Sequence, residues 1–218
     1  MTKNIRVLKS LFQDVRIKER QAPKLRGYFA NKYAQIESMH NHRADKFIYS
    51  YPLVQYKVID EIPHIIVMEH EIDRVGEYIF KEDKLIIEDM ELKTYEKYIK
   101  VENESYGVVD EIHEYEFVTP WLSLNQNNVK KYRSANDEEK KELLKKVLIG
   151  NLLSASKGLD YRVEDQVHVE VDLKEIKVNF KNSKMIGFKG NFKTNFKLID
   201  HMGLGKSVSR GFGTIKMM

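Results

Sequence analysis

Residues 47–72 read FIYSYPLVQYKVIDEIPHIIVMEHEI, two β-branched and aromatic runs separated by the acidic pair Asp60-Glu61. Runs rich in Val, Ile, Tyr and Phe are strand material, so the stretch is expected to form two strands joined by a turn at Asp60-Glu61. On its N-terminal side, APKLRGYFANKYAQIES (22–38) sets Leu25, Phe29, Tyr33 and Ile36 on one apolar helical face, with Pro23 in the first turn where it is tolerated. Before that helix, IRVLKSLFQDVRI predicts a strand over about 4–17. On the C-terminal side, DRVGEYIF (73–80) predicts a short helix and LIIEDMELKTYEKYIKV (85–101) a strand or strand pair. The order β, α, β, β, α, β is the ferredoxin-like split βαβ unit, two helices on one face of a four-stranded antiparallel sheet.

The second half repeats part of that order. EYEFVTPWLSL (114–124) reads as a strand, and residues 129–159 read as helical. The best helix there starts near Asn136, carries three acidic residues in its first turn, repeats Leu143, Leu144, Val147, Leu148 and Leu152, and stops at Gly158. VHVEV, EIKVNF, MIGFKGNFKTNFKL and GTIKM follow as paired strands, with the second helix missing or very short. The expected architecture is an α+β fold of two tandem ferredoxin-like units, 1–108 and 109–218, the second degenerate.

Composition narrows the chemistry. The 218 residues include no cysteine, which excludes disulfides, thiolate metal sites and a cysteine nucleophile. No apolar run is long enough for a membrane helix and the start MTKNIRVLKS lacks a signal-peptide core, so the cytoplasm is the expected compartment and no membrane partner is expected. The net charge of +4 hides a segregation: residues 1–59 hold 12 Lys/Arg against 4 Asp/Glu, residues 60–116 hold 6 against 18, and residues 166–218 hold 10 against 4. Basic ends around an acidic middle are either solvated faces or, if the ends meet, a cationic surface for a polyanion.

The chain closes on GLGKSVSRGFGTIKMM (203–218), in which Gly203-Leu204-Gly205 and Gly211-Phe212-Gly213 enclose five residues with two cations, Lys206 and Arg210. The spacing is not that of a P-loop or of a dinucleotide fingerprint, and a strand rather than a helix follows. Glycines clustered like this mark a sharp bend or a close approach to backbone. Exposed N–H groups on such backbone form anion-binding concavities, to which Lys206 and Arg210 add charge. Among the seven histidines, His64, His70, His113, His168 and His201 are isolated and read as structural. His40 and His42, two apart in the polar break MHNHRADK after the first helix, are open to three roles: metal ligands, inert surface groups, or a general acid and base. The last suits RNA cleavage best, because imidazole titrates near neutral pH.

The two G-h-G triplets, where h is apolar, around a five-residue basic segment resemble the C-terminal glycine-rich loop of the RAMP superfamily, above all of the CRISPR-associated endoribonucleases that cut repeat RNA into guide RNAs. That resemblance implies tandem ferredoxin-like units over essentially the whole chain, and RNA binding by Gly203, Gly205, Lys206, Ser207, Ser209, Arg210, Gly211 and Gly213. It implies cleavage with neither metal nor cofactor, by attack of a 2′-OH on the adjacent phosphate, leaving a 2′,3′-cyclic or 3′ phosphate and a 5′-OH. His42 is then the candidate base and His40 the candidate acid, with the roles exchangeable. Lys32, two turns earlier, is the candidate for offsetting phosphorane charge, and Tyr49, with Tyr51 on the same strand face, for hydrogen bonding. Repeat RNA is the expected partner; other subunits of a CRISPR complex and a second copy of the chain are further candidates. The alternative is a RAMP protein that holds RNA without cutting it.

Overall fold

The computed structural model describes residues 1–40, 42–43, 46–47, 51–180 and 183–218. They fall into two compact units, Asn4–Glu104 with Val208–Gly211, and Met1–Lys3 with Ser105–Ser207 and Phe212–Met218. The division lies between Glu104 and Ser105, a few residues before the expected break after 108.

The first unit runs β1 (Lys3–Phe12), a 3₁₀ turn (Glu19–Gln21), α1 (Ala22–Lys32), α2 (Glu37–His40), β2 (His42–Arg43), β3 (Lys46–Phe47), β4 (Val54–Ile59), β5 (Ile62–Met68), α3 (Glu71–Lys81), β6 (Lys84–Ile87), β7 (Met90–Lys93) and the beginning of β8 (Lys97–Trp121). Its sheet order, β4-β5-β1-β8, is that of the ferredoxin-like fold. The deciding hairpin is as expected: Ile59 pairs with Ile62 across Asp60 and Glu61, whose φ values of 50° and 64° make the two-residue turn that matches strand twist. Leu25 and Phe29 of α1 and Val75 and Ile79 of α3 bury against Val54, Tyr56 and Val58 of β4 on one face of the sheet.

Four expectations need correction here. The first strand ends at Phe12, not 17: Val15 N–H turns back to the Phe12 carbonyl at 3.1 Å, and Val15 and Ile17 are buried outside the strand. The first helix stops at Lys32, where Tyr33 leaves helical geometry (φ −118°, ψ 46°), although Tyr33 and Ile36 still pack on the core. The strand expected from residue 47 begins only at Val54, just past Pro52, so Tyr51 lies outside it. Finally, LIIEDMELK forms the separate hairpin β6-β7, and the fourth sheet position belongs to β8. Lys97 anchors that strand, its ammonium donating to carbonyls at the end of α3, Ile79 (2.9 Å), Phe80 (2.6 Å) and Glu82 (2.6 Å).

The second unit contains the rest of β8, α4 (Gln126–Ser134), α5 (Asp137–Gly158), β9 (Val169–Phe180), β10 (Ser183–Lys197) and β11 (Ile215–Met217); the short 3₁₀ turn Val208–Arg210 belongs to the first unit. β10 pairs with β9 and β8, and β11 pairs with β8, which is the same ferredoxin-like order; no α-helix stands between β10 and β11, within the expectation of a missing or very short second helix. The helical interval is two helices because Asn136 caps α5: its side chain accepts from Glu139 N–H at 3.0 Å while Glu139 accepts from Asn136 N–H at 2.9 Å. Leu144, Leu148 and Leu152 are its buried stripe.

Candidate functional site

The last turn of α1 carries Lys32, and the structure surrounds its ammonium. Glu82, fully buried at the end of α3, accepts from Lys32 Nζ on both oxygens at 2.7 and 2.9 Å, from Tyr28 OH at 2.9 Å and from Tyr33 OH at 3.0 Å. Lys32 also donates to Tyr28 OH at 3.1 Å. Burial and then the neighbouring carboxylate push the Tyr33 hydroxyl up to about 12 and move Tyr28 in the same direction, so both phenols stay protonated donors. For Lys32, burial works against the charge, but the hydrogen bonds and charge of Glu82 outweigh it and raise its pKa. The ammonium is therefore firmly charged and already engaged within the protein.

His40 is the last residue of α2 and His42 the first of β2, where it pairs with Phe47. Both thus stand in the connection after the first helix. Their side chains, and all of Tyr49, lie outside the described residues. Among the described residues no group of three or more His, Asp or Glu is arranged to hold a metal ion, and no helix is long and apolar enough to cross a membrane.

In the glycine-rich segment, three of the four glycines have positive φ: Gly205 (89°), Gly211 (90°) and Gly213 (62°). A Cβ on Gly205 would lie 2.7 Å from Trp121 Nε1, one on Gly211 2.6 Å from the Ala22 Cβ, and one on Gly213 1.9 Å from the Leu204 carbonyl oxygen. The glycines thus admit the protein's own chain. Backbone N–H groups are also spent internally: Leu204 donates to Gly213 O, Lys206 to Leu122 O and Gly213 to Pro120 O, each at 2.9 Å, and Gly211 to Val208 O at 3.3 Å. The expected cradle of outward N–H groups is reduced accordingly, and side chains are the more prominent groups for an anion. Lys206 is exposed, with its ammonium drawn onto the Leu124 carbonyl at 2.6 Å; Ser207, Ser209 and Arg210 are half-buried.

Two residues of the site were missed in sequence. Glu82 gave no signal, being one of many acids in the middle of the chain. Lys57 was hidden by alternation: in VQYKVI the odd positions read as a solvent face, yet all six residues of β4 are buried. Lys57 Nζ donates to the Val208 carbonyl at 3.1 Å, and burial lowers its pKa to about 7.

Comparison with known proteins covers both units. The Cas6b N-terminal domain matches residues 3–105 and the Cas6b C-terminal domain residues 107–218. The chain belongs to the Cas6b family. A crystal structure of Cas6b is 39% identical, covers 99% of this chain and 100% of its own, and superposes with a TM-score of 0.96. A crystal structure of the CRISPR RNA processing endoribonuclease Cas6b, 35% identical over 99% of this chain and 100% of its own, gives 0.81. An uncharacterized protein of Methanocaldococcus jannaschii is 37% identical over 142 residues, 65% of this chain and 97% of its own length. The expected fold and family resemblance are therefore correct: this Cas6b chain has the tandem ferredoxin-like architecture of its relatives.

Proposed function

We infer that this chain is a CRISPR RNA processing endoribonuclease that cuts repeat transcripts into guide RNAs in the cytoplasm. The observation that carries the reading is the Cas6b match over both units, together with a 35% identical full-length structure of a Cas6b endoribonuclease. RNA is the partner; docking on further CRISPR subunits or on a second copy belongs to the same proposal.

In the proposed reaction His42 takes the proton of a 2′-OH as that oxygen attacks the adjacent phosphorus. The bond from phosphorus to the 5′ oxygen breaks, and His40 protonates the leaving oxygen, so the products are a 2′,3′-cyclic phosphate and a 5′-OH. Addition of water to the cyclic product yields the 3′ phosphate. Tyr49 supplies a hydrogen bond in the same step. The field of Lys32 favours the phosphorane, but its pairing with Glu82 makes that contribution smaller than a lone ammonium would give. Lys206, Arg210, Ser207 and Ser209 hold phosphates, which positions the strand without reading its bases.

His42→Ala is expected to lower the single-turnover rate by about 10² to 10⁴, the range for loss of a positioned acid or base, with little change in RNA affinity. His40→Ala should fall in the same range. Rates within a factor of about three of the parent in both variants would place catalysis elsewhere.

A further inference from the structure

Within the first unit a groove of about 570 Å³ lies between α1 and the β6-β7 hairpin, in the size range of small-molecule sites. Its apolar walls are Pro23 and Tyr28 of the helix and Ile86 of β6, which stands 42% exposed between the buried Leu85 and Ile87. Tyr28 is fixed there, its hydroxyl 2.9 Å from Glu82 Oε1 and 3.1 Å from the Lys84 carbonyl oxygen, which ties α1 to β6. Gly27 lines the groove from the middle of α1, where glycine is a poor helix former, and a Cβ there would meet nothing within 4 Å, so no packing in the fold accounts for it. Gly150 of α5 is open in the same way; what sets Gly27 apart is its company. Asn31, four residues on along the same helix face, and Lys24, three residues before, line the same groove, and neither has a hydrogen bond or ion pair among the described residues. The other cations of the lining are spent, Lys32 on Glu82 and Lys84 on Glu91 at 3.0 Å, and its acid, Glu88, accepts from Gln21 Nε2 at 3.5 Å. An open apolar slot with a fixed aromatic wall, an unpartnered amide and an unpartnered cation has the parts that hold one nucleotide of a single strand: apolar surface for the flat base, hydrogen bonds for its edge and charge for its phosphate. The missing side chain of Gly27 lets a flat ring approach the helix backbone.

We propose that this groove takes one unstacked base of the RNA strand, which lies over Gly27 between Tyr28 and Ile86, with Asn31 pairing to its edge and Lys24 meeting a phosphate of the same nucleotide. The proposal rests on the reading that the chain binds RNA. It adds a place where one base is read, whereas contacts to phosphate alone carry no sequence.

The test measures binding alone, on repeat RNA blocked by 2′-deoxy at the cut and on a set of the same RNA carrying one abasic nucleotide at each position in turn. Gly27→Leu, which fills the groove, is expected to weaken the intact RNA by about 5- to 100-fold, the range for losing one stacked base. One abasic position should weaken binding by a similar factor in the parent and by less than about twofold in Gly27→Leu, while every other position costs the same in both proteins. Asn31→Ala should lose discrimination among bases at that same position, and Lys24→Gln should flatten the slope of log K against log salt by about 0.7, one phosphate's worth on a single strand. Gly27→Ala is the control for folding and should raise the thermal midpoint by about 2 to 4 °C, since its Cβ enters open space. A lower midpoint would mean that the fold itself needs the glycine and would overturn the argument. Parent-like RNA binding by Gly27→Leu, with or without a change in oligomeric state, or abasic costs that match at every position in the two proteins, would overturn the groove while leaving RNA binding by the parent intact. Failure of the parent itself to bind repeat RNA would remove the reading on which the proposal rests.

Discussion

The two ends of α1 treat positive charge in opposite ways. At the C-terminal end, where the helix dipole already favours a cation, Lys32 is matched by the buried carboxylate of Glu82 and ringed by two phenols. At the N-terminal end the first turn contains no acidic residue, Arg26 feels the charge of Arg210, and the nearby Lys57 ammonium is bonded to a carbonyl rather than to a carboxylate. The first arrangement is complete within the protein and ties α1 to α3. The second concentrates charge against the helix dipole.

The sharpest way to probe this contrast is Lys57, whose charge is buried with no carboxylate against it among the described residues. Its pKa in the fold is about 7 against an ordinary value of 10.5, so the folded chain binds fewer protons than the unfolded chain between those limits. Stability contributed by this group must then rise with pH across that window, by up to about 1.4 kcal/mol per pH unit, and the cost of the buried charge is largest below it. Lys57→Met should be more stable than the parent near pH 6, with the advantage shrinking toward pH 10. Denaturant unfolding at several pH values measures the difference, and a pH-independent gap would mean that the ammonium is solvated.

Gly211→Ala attacks the same end through the backbone. The new Cβ would meet Ala22 at 2.6 Å in a φ of 90°, so a loss of about 3 kcal/mol is expected, together with weaker RNA binding as the turn bearing Arg210 shifts. Adding Ala22→Gly should recover the steric part and leave the φ strain. At the other end, Lys32→Met leaves Glu82 with only its two phenol donors; because Lys32 is partly exposed, about 2 kcal/mol is expected rather than the larger cost of breaking a fully buried pair. RNA affinity and its salt slope should be unchanged there. A flattened slope in Lys32→Met would erase the distinction between the two ends.

How far these features were legible in sequence depends on whether their causes are local. The β4-β5 hairpin, the Asn136 cap and the spacing of the glycine triplets are set by neighbours in the chain, and each was readable. The fourth sheet strand was legible only in part: 85–101 read as a strand or strand pair, but which part joins the sheet was not, since LII at 85–87 is more apolar than KYIKV at 97–101, yet it is Lys97 that caps α3 and begins the long strand β8. Glu82 and Lys57 were invisible for a related reason. A buried carboxylate is recognisable only once Tyr28 and Lys32 of α1 and Tyr33 just past it surround it, and a lysine on an alternating strand reads as solvent-facing until the 3₁₀ turn, 151 residues later, covers it. The glycines have a structural cause that lies elsewhere in the chain, since their missing side chains make room for Trp121, Ala22 and the Leu204 carbonyl.

In the proposed reaction the nucleophile is the substrate's own 2′-OH. The direct test is a repeat RNA carrying a single 2′-deoxy nucleotide immediately before the cut, incubated with the protein in EDTA beside the all-ribose RNA, with end groups of the products analysed. The all-ribose RNA is expected to yield a 2′,3′-cyclic or 3′ phosphate and a 5′-OH, while the deoxy RNA binds as well and stays intact. Cleavage of the deoxy RNA at the same position, or products with a 5′ phosphate and a 3′-OH, would contradict it.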